Sequence, residues 1–521
     1  MVGTLMCRIS GSEVQAWRAV TAMKGNKMNK VWIPASVSVA LMLAGSALAQ
    51  TPPPAPAPNA PLPPGQTGEP FKQPIIANEG VITVRLREFA ALPDIDNIAA
   101  RAMTLDEEPV SRRLFVSDMR GLLYTVRADG KVVTPYIDTR EARWGHPVQS
   151  VGRERGLHSF VLHPQFSRAG TPGYGKFYTY VDTTNAAPVP DFDTPNKSTA
   201  NTPASTHDLV LLEWTAKNPG AAIYDGAAPR ELLRWRQPFA NHNGGAIAFN
   251  PTAKPGTPEF GLLYLGVADG GSGGDPMNLA QNMGSGFGKF FRIDPLGRNS
   301  RNGKYGIPAS NPFVGTSGAL PEIYAYGVRN SQGIGWDPRS GAMYMTDIGQ
   351  NIVEELSPVT AGANLGWNTW EGSYGYVSRA AVLADNPRID SKVTYPIAEW
   401  DQFDPVMLPN NSAAATGALV YRATTVPQLN GRLLFGDMPS GEMFHVSADN
   451  LPRGGQDAIR RVLFTADGNT APRTLLAIVQ EKNKAQGKTV AARADMRFYG
   501  AAAGRVFVLN KSDGMIRLIE R

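Results

Sequence analysis

The chain has 521 residues, of which 42% are hydrophobic and 18% are charged, and its formal net charge is +6. This charge is modest for the length and is not gathered in a long lysine or arginine run, so the composition gives no support to nucleic-acid binding. Part of the positive excess is available for a local anionic ligand. The 54 glycines and 42 prolines favour an all-β protein of many short strands joined by turns.

The N-terminus is typical of an export signal. A lysine-containing segment precedes the apolar stretch VWIPASVSVALMLAGSALA, which ends in small residues. We predict a signal peptide over 1–49, cleaved after Ala49, with 1–27 as an upstream extension and Met28 as the true start. The mature chain is then periplasmic or secreted, and no later segment is long enough to be a membrane-spanning helix.

The next segment, 50–74, is rich in proline and alanine. Such a composition predicts an extended linker without a fold of its own. The structured domain is expected to cover 75–521. The only cysteine, Cys7, lies inside the predicted signal sequence, so a mature chain would have no disulfide, thiolate metal site or cysteine nucleophile.

A strand–turn–strand pattern recurs along the predicted domain. In each unit, a run of aromatic and β-branched residues reaches an Asp or Asn near a glycine-containing turn, and most units then resume with a second apolar run. Such units begin at Arg113, Lys176, Leu262, Ala342, Arg432 and Arg505. We therefore predict an all-β, six-bladed β-propeller with long inter-strand loops on one face, the structural alternative being a pair of β-sandwiches. Helical periodicity is expected only locally, mainly over 471–485.

Several polar loops are candidates for one shared site, because the loops at one end of a propeller converge. The segment PFANHNGGAIAFNP places His242 in a polar, flexible loop that leads into a buried strand. Other loops contain arginines and oxygen donors, and together they suit a polyanionic ligand held partly by a hard cation. Taken singly, Asp269 and Asp347 are interpreted as turn caps, and His163 as a structural histidine.

Five blocks occur in order along the domain: RGLHSFVLHPQF, HNGGAIAFNP, YAYGVRNSQGIGWDP, TDIGQNIVEEL and NLGWNTWEG. They resemble the glucose/sorbosone dehydrogenase family, whose members are soluble six-bladed propellers that oxidise aldose sugars with pyrroloquinoline quinone (PQQ) and Ca²⁺. The resemblance implies an exported oxidoreductase that moves a hydride from the anomeric carbon of an aldose, or from a sorbosone-like aldehyde, to the quinone. Its partners would be that sugar and an exported electron acceptor, either a cytochrome or a quinone.

The resemblance also implies roles for individual residues. His242 matches the catalytic base, and Arg329 lies where it would stabilise the quinone oxygen that becomes anionic. Gly349 and Gln350 match positions whose backbone carbonyls bind Ca²⁺. The remaining cofactor-binding candidates are Arg155, Asn241, Asn330 and Arg422. Among these, Arg155→Ala is expected to weaken PQQ binding.

The chain departs from the family pattern at two places. Ser440 and Glu442 stand where members often have arginines for the PQQ carboxylates, and a glutamate there is unfavourable unless it faces away. His158 and Ser159 replace a common Leu-Gly pair. Two alternative functions therefore stay open: a propeller without PQQ that binds carbohydrate or protein, and a lactonase-type hydrolase with side-chain carboxylates on one metal ion.

Overall fold

The structure is a computed structural model that describes residues 17–24, 27–34, 62–185, 189–194, 197–198, 204–407 and 413–521. The chain divides into two compact units, Met1–Pro54 and Ala55–Arg521. In the first unit, β1 (Trp17–Lys24) and β2 (Lys27–Pro34) form an antiparallel hairpin. The rest of the predicted signal peptide and the linker segment 50–61 lie outside the described residues, so the export signal stays a prediction.

The predicted linker ends earlier than its composition suggests. Strand β3 (Gln66–Thr67) pairs antiparallel with Val382 and Leu383. Phe71 packs edge-on against Tyr374, with ring centroids 5.9 Å apart. Residues 62–74 therefore belong to the folded domain, because their backbone and one aromatic ring have partners far along the chain that a proline-rich composition does not reveal.

Strand β4 (Ile82–Ala91) is followed by three sheets, each with four strands in chain order and antiparallel neighbours. The first sheet contains β5 to β8, at Ala102–Glu107, Leu114–Asp118, Leu122–Val126 and Val133–Asp138. The second contains β9 to β12, at Leu157–Leu162, Lys176–Thr184, His207–Thr215 and Arg230–Arg236. The third contains β13 to β16, at Ile247–Phe249, Leu263–Val267, Lys289–Ile293 and Ile323–Tyr326.

The fourth sheet contains β17, β18, β19 and β23, at Ser331–Trp336, Met343–Asp347, Val353–Val359 and Ala398–Asp401. Between β19 and β23, a small sheet with β3 is formed by β20 to β22, at Trp370–Glu371, Tyr374–Ser378 and Ala381–Leu383. The C-terminal strands β24 to β31 are Ala415–Tyr421, Arg432–Asp437, Met443–Ser447, Arg460–Ala466, Asn469–Arg473, Arg497–Ala501, Arg505–Leu509 and Met515–Glu520.

Strand β4 joins these C-terminal strands into one sheet of order β24-β25-β26-β27-β4-β31-β30-β29, with β28 paired to β27. It runs parallel to β27 and antiparallel to β31. The single α-helix of the described chain, α1 (Leu475–Ala485), is capped by the Thr474 hydroxyl and lies inside the predicted helical segment. Short 3₁₀ turns occupy Ala142–Trp144, Pro405–Met407, Pro427–Leu429 and Ala502–Gly504. The predicted all-β class is thus confirmed, and α1 is too short to cross a membrane, as is every other helix in the described ranges.

The first strands of successive four-stranded units are neighbours, which we call the inner strands: β5, β9, β13, β17, β24 and β29. Contacts join β5 to β9, β9 to β13, β17 to β24, β24 to β29 and β29 to β5. Backbone N–H groups of Phe160 and Leu162 donate to side-chain oxygens of Thr104 and Asp106, so β5 and β9 run in the same direction. Where inner strands are parallel, the residues before them share one end, and the residues after them lie at the other.

Candidate active site

The buried imidazole of His242 lies in the loop before β13. His242 is 5% exposed and has φ +54°, a conformation that is uncommon for a non-glycine residue and marks a local constraint. Its Nδ1 lies 2.6 Å from Asp269 Oδ1, and its Nε2 lies 3.0 Å from Arg329 Nη2. The backbone N–H donates to Glu154 Oε2 at 2.8 Å. The ring is therefore held at both nitrogens.

Asp269 fixes the tautomer of this histidine. The carboxylate also accepts the indole N–H of Trp367 at 2.9 Å and the backbone N–H of Gly271 at 2.9 Å. A carboxylate so surrounded by donors favours an Nδ1–H imidazole, which leaves Nε2 unprotonated and able to accept from Arg329 Nη2. Asp269 caps its own turn, as predicted, through the Gly271 N–H, and in addition it orients His242.

Arg329 and Asn330 precede β17 and are held in place by hydrogen bonds from their backbone N–H groups. Both N–H groups donate to Asp347, at 2.8 and 2.6 Å, and burial raises the pKa of this carboxyl to about 6. The Arg329 guanidinium donates to Ile348 O at 2.7 Å and lies 5.6 Å from the Trp367 ring centroid. Its Nε is buried and has no hydrogen-bond partner, and Arg329 has no carboxylate ion pair within the described ranges. The Arg329 guanidinium is thus a buried cation with one unpaired N–H group, and it lies beside the His242 imidazole.

A small cavity of about 10 Å³, close to the minimum for one water molecule, lies between the inner strands. Its wall includes His158, Gly244, Gln332 and Arg497. Gln332 bridges the other groups, because its Nε2 donates to Gly244 O at 2.9 Å and its Oε1 accepts from Arg497 Nη2 at 3.1 Å. Arg497 is 4% exposed and has no carboxylate ion pair among the residues described.

Arg497 is the site residue that the sequence reasoning missed. Burial lowers its pKa, and its other hydrogen-bond partners, Met438 Sδ and Met496 O, carry no formal charge. The available signal was its place as the first residue of the last inner strand, in the segment ADMRFYG. An arginine at that position faces the shared cavity.

Arg422 was predicted as a cofactor ligand, and the structure contradicts this. It follows β24 and forms a bidentate pair with Asp337 at 2.9 and 2.8 Å, and a further ion pair with Asp449 at 2.6 Å. Asp337 follows β17, whereas Arg329 and Asn330 precede it. A six-residue strand spans roughly 20 Å. Arg422 therefore lies at the opposite end of the inner strands, where it is already neutralised.

Asn330 and Asn241 both lie around His242. The Asn330 side-chain oxygen Oδ1 accepts from Gln332 Nε2 at 3.1 Å. Asn241 lies beside the histidine and joins two loops, since its Oδ1 accepts the Ser272 N–H at 2.8 Å. Arg155 is half-buried and donates to Gln149 Oε1 at 2.7 Å, so its contact with a cofactor stays a prediction.

Gly349 and Gln350 are both buried after β18. The Gln350 side-chain oxygen accepts the Gly274 N–H at 2.7 Å, which leaves backbone oxygen as the ligand that this position can offer. A Cβ on Gly349 would lie 1.6 Å from Val353 O, so only glycine fits there. No group of three or more His, Cys, Asp or Glu side chains is arranged to hold a metal ion within the described ranges.

The two departures at Ser440 and Glu442 have a structural explanation. Ser440 caps its own turn, because its N–H and hydroxyl both donate to Asp437. Glu442 forms a bidentate pair with Arg461, at 2.9 and 2.6 Å. The glutamate is therefore neutralised by a neighbouring strand and does not oppose an anionic ligand.

The second place where the chain departs from the family pattern contains His158, which belongs to a buried network. Asp182 accepts from His158 Nε2 at 2.7 Å, and His207 Nε2 lies 3.2 Å from its other oxygen. His207 Nε2 also lies 2.5 Å from Asn243 Oδ1, and the Asn243 amide donates to Ala240 O at 3.1 Å. The two imidazoles lower the pKa of Asp182 against the effect of its burial. This network fixes both sides of the loop that carries His242.

Comparison of this chain with known protein families shows the family to which it belongs. Residues 102–470 match the profile of the Glucose / Sorbosone dehydrogenase family. The chain belongs to the glucose/sorbosone dehydrogenase family. Among curated relatives, it is 28% identical over 339 residues to the HIPL2 protein of Arabidopsis thaliana and 26% identical over 250 residues to the aldose sugar dehydrogenase YliI of Escherichia coli. The human hedgehog-interacting protein is 25% identical over 333 residues.

These relatives are matched only in part. The alignments cover 60%, 47% and 63% of this chain, but 45%, 59% and 39% of the relatives' own lengths. Solved structures show the same fold: the soluble aldose sugar dehydrogenase of Escherichia coli superposes with a TM-score of 0.53 at 18% identity, covering 84% of this chain and 99% of that one. The PQQ-bound aldose sugar dehydrogenase of Streptomyces coelicolor gives 0.51 at 20% identity, covering 83% and 96%. Family members thus include both named sugar dehydrogenases and proteins named for other roles.

Proposed function

We propose that this glucose/sorbosone dehydrogenase family member is an exported, six-bladed quinoprotein that oxidises the anomeric hydroxyl of an aldose, with PQQ and Ca²⁺ as cofactors. The observation that carries the proposal is His242, a buried imidazole oriented by Asp269 through Nδ1, with Nε2 beside Arg329. The count of six blades is supported by the sheet joined by β4, if its two halves are taken as separate blades.

The residues present fit an anionic, planar cofactor. Arg329 and Arg497 are buried cations without a carboxylate ion pair in the described part of the chain, and Arg329 Nε lacks a partner. Gly244 and Gly245 line the small cavity whose wall includes Arg497, and they have no side chains to obstruct a ring. Gly349 and Gln350 would hold Ca²⁺ through backbone carbonyls. When bound, PQQ would supply the hydride acceptor, and the ion would polarise it.

Residues of the chain itself would carry out the proton transfer and stabilise the developing charges. His242 Nε2 takes the proton of the anomeric hydroxyl, and Asp269 stabilises the resulting imidazolium. Arg329 places positive charge where negative charge develops, without needing to reorganise because it is already held by Ile348 O and stacked on Trp367. The burial of these groups strengthens each electrostatic contribution.

The decisive experiment is reconstitution. The purified mature protein is stripped with chelator and given PQQ with and without Ca²⁺, and dye reduction is followed over a panel of aldoses. Calcium-dependent turnover that disappears in His242→Ala supports the proposal and ranks the substrates. If PQQ does not bind at micromolar concentration, the proposal is wrong. The protein would then be studied as a carbohydrate- or protein-binding module, although the pairing of Glu442 with Arg461 removes the sequence argument for that alternative.

A further inference from the structure

A group of cationic side chains lies around Lys511, at the end of the inner strands where His242 is found. Lys511 Nζ donates to Arg153 O at 3.2 Å, and Lys511 N donates to Ala494 O at 3.2 Å. The neighbouring Asn510 O accepts from Ala102 N at 3.2 Å. These bonds bring together what we call the Lys511 cluster: Arg101, Arg153, Arg493, Arg497 and Lys511.

The charges in this cluster are not balanced. Asp495 is paired with Arg493 at 2.7 Å, whereas Arg101, Arg153 and Lys511 form no ion pair within the described ranges. Burial, together with Arg497, Arg101 and Arg493, holds the pKa of Lys511 well below its usual value. The positive charges around Asp495 outnumber it and repel one another, and positive groups without an ion-pair partner attract and are stabilised by an anion.

The loop before β9 contacts both the cluster and the proposed base. Arg153 binds Lys511 through its carbonyl oxygen, and the next residue, Glu154, accepts the backbone N–H of His242 at 2.8 Å. Arg497 extends the cluster to the cavity wall through Gln332. An anionic group held by Lys511, Arg101 and Arg153 would therefore belong to a molecule whose other end reaches His242. Arg497 remains available to the cofactor.

We propose that the Lys511 cluster binds the negatively charged group of the substrate, so that the enzyme prefers aldoses bearing a carboxylate or a phosphate over neutral aldoses. This inference rests on the proposed function for its catalytic consequence, but the binding itself does not. The ammonium and two guanidinium groups would form charge-assisted hydrogen bonds to either kind of anion.

The test is an equilibrium titration of the mature protein with D-glucuronate, D-glucose 6-phosphate and D-glucose, before and after loading with PQQ and Ca²⁺. We expect the anionic sugars to bind on the order of tenfold or more tightly than glucose, with affinity falling as salt is raised. Lys511→Gln and Arg101→Gln should each reduce that preference about tenfold. The matched control is Lys131→Gln, which removes the same charge from an exposed turn at the opposite end of β5 to β8.

Several results would overturn the proposal. Equal affinities for glucose and both anionic sugars would do so, as would an unchanged preference in Lys511→Gln, or the absence of saturable binding of either anion in both states. If Lys511→Gln weakens PQQ binding while sugar binding is unchanged, the cluster serves the cofactor and the inference is wrong. Failed PQQ reconstitution with intact glucuronate binding would instead contradict only the proposed function. A thermal melt of Lys511→Gln should show no loss of stability, because the substitution relieves repulsion.

Discussion

Asp269 Oδ1 lies 2.6 Å from His242 Nδ1, and the other oxygen of the same carboxylate accepts the Trp367 indole N–H. This relationship makes the histidine one member of a His–Asp pair whose second member comes from a different strand of the same sheet. The pairing determines which ring nitrogen can act as the base. It also ties that base to the aromatic ring over which Arg329 lies.

Asp269→Asn is expected to lower kcat on the order of 100-fold, because an amide N–H facing Nδ1 would favour the wrong imidazole tautomer. His242→Ala should lower it about 10²- to 10⁴-fold. The measurement is steady-state dye reduction by the reconstituted enzyme, with PQQ affinity determined in parallel by fluorescence titration. Wild-type kcat in Asp269→Asn would remove the orienting role of this carboxylate.

Arg497→Gln is expected to weaken PQQ binding about 10- to 100-fold, because a buried charge-assisted contact contributes about 1.5–3 kcal/mol. Arg422→Gln is its matched control, since that arginine lies at the other end of the inner strands and is paired with Asp337 and Asp449. It should leave PQQ affinity unchanged while lowering stability. The reverse pattern in the two dissociation constants would contradict this placement of the sites.

Replacing His207 by Ala is expected to cost about 1–3 kcal/mol of unfolding free energy, because the buried Asn243 Oδ1 loses its donor and the Asp182 carboxylate loses a neighbouring imidazole. Turnover should also fall, since the loop carrying His242 loses one of its two anchors. His207→Gln keeps an N–H donor and should recover part of both quantities. Urea unfolding and kcat are measured together, and a kcat that stays at the wild-type value in His207→Ala would show that this network is only structural.

The stability of the protein should fall in mild acid partly because of His163. This residue is 2% exposed, its Nδ1 accepts the Gln165 N–H, and burial lowers its pKa to about 4. The unfolded chain titrates near 6.5, so between pH 6.5 and 4 it binds more protons than the folded state, and acid favours unfolding. The full effect is about 3 kcal/mol, present above pH 6.5 and lost toward pH 4.

The comparison that checks this is the melting temperature of wild type and His163→Gln at pH 7.5 and 5. The variant should be less stable at pH 7.5 but should lose less between the two values. His445, whose pKa burial also lowers to about 4, remains in both proteins and contributes to the residual slope. Equal slopes in the two proteins would count against His163 as the buried titrating group.

The sequence predicted the strand pairs well, because alternating aromatic and β-branched runs on both sides of a glycine turn are compatible with few structures other than a β-hairpin. The segment RLFVSDMRGLLYTV contains β6 and β7, and RVFVLNKSDGMIRLI contains β30 and β31. The structure brings His242 and Arg329 into contact, and both residues precede inner strands. The two residues are in contact because the inner strands run in the same direction, so that the residues before them lie at one end. The loop motifs imply this strand direction.

The wrong prediction for Arg422 and the missing prediction for Arg497 have one physical cause. Arg422 and Arg497 are the same residue type near strands of similar composition, and only their position before or after an inner strand separates them. That position depends on where each strand begins, which sequence periodicity locates poorly. The second role of Asp269 was not predicted for a related reason: a turn cap and a histidine partner both place a carboxylate after the same strand, and Asp269 is both.

Strand β4 has a consequence for how the protein is made. Its Arg85 pairs with Glu520 on one side and Thr465 on the other, so one of the first strands to emerge from the ribosome has no neighbours until nearly the whole chain has been synthesised. Contacts so distant in sequence slow folding and leave intermediates with unpaired edges. Both edges of β4 therefore stay unpaired until the C-terminal strands β27 and β31 have been synthesised.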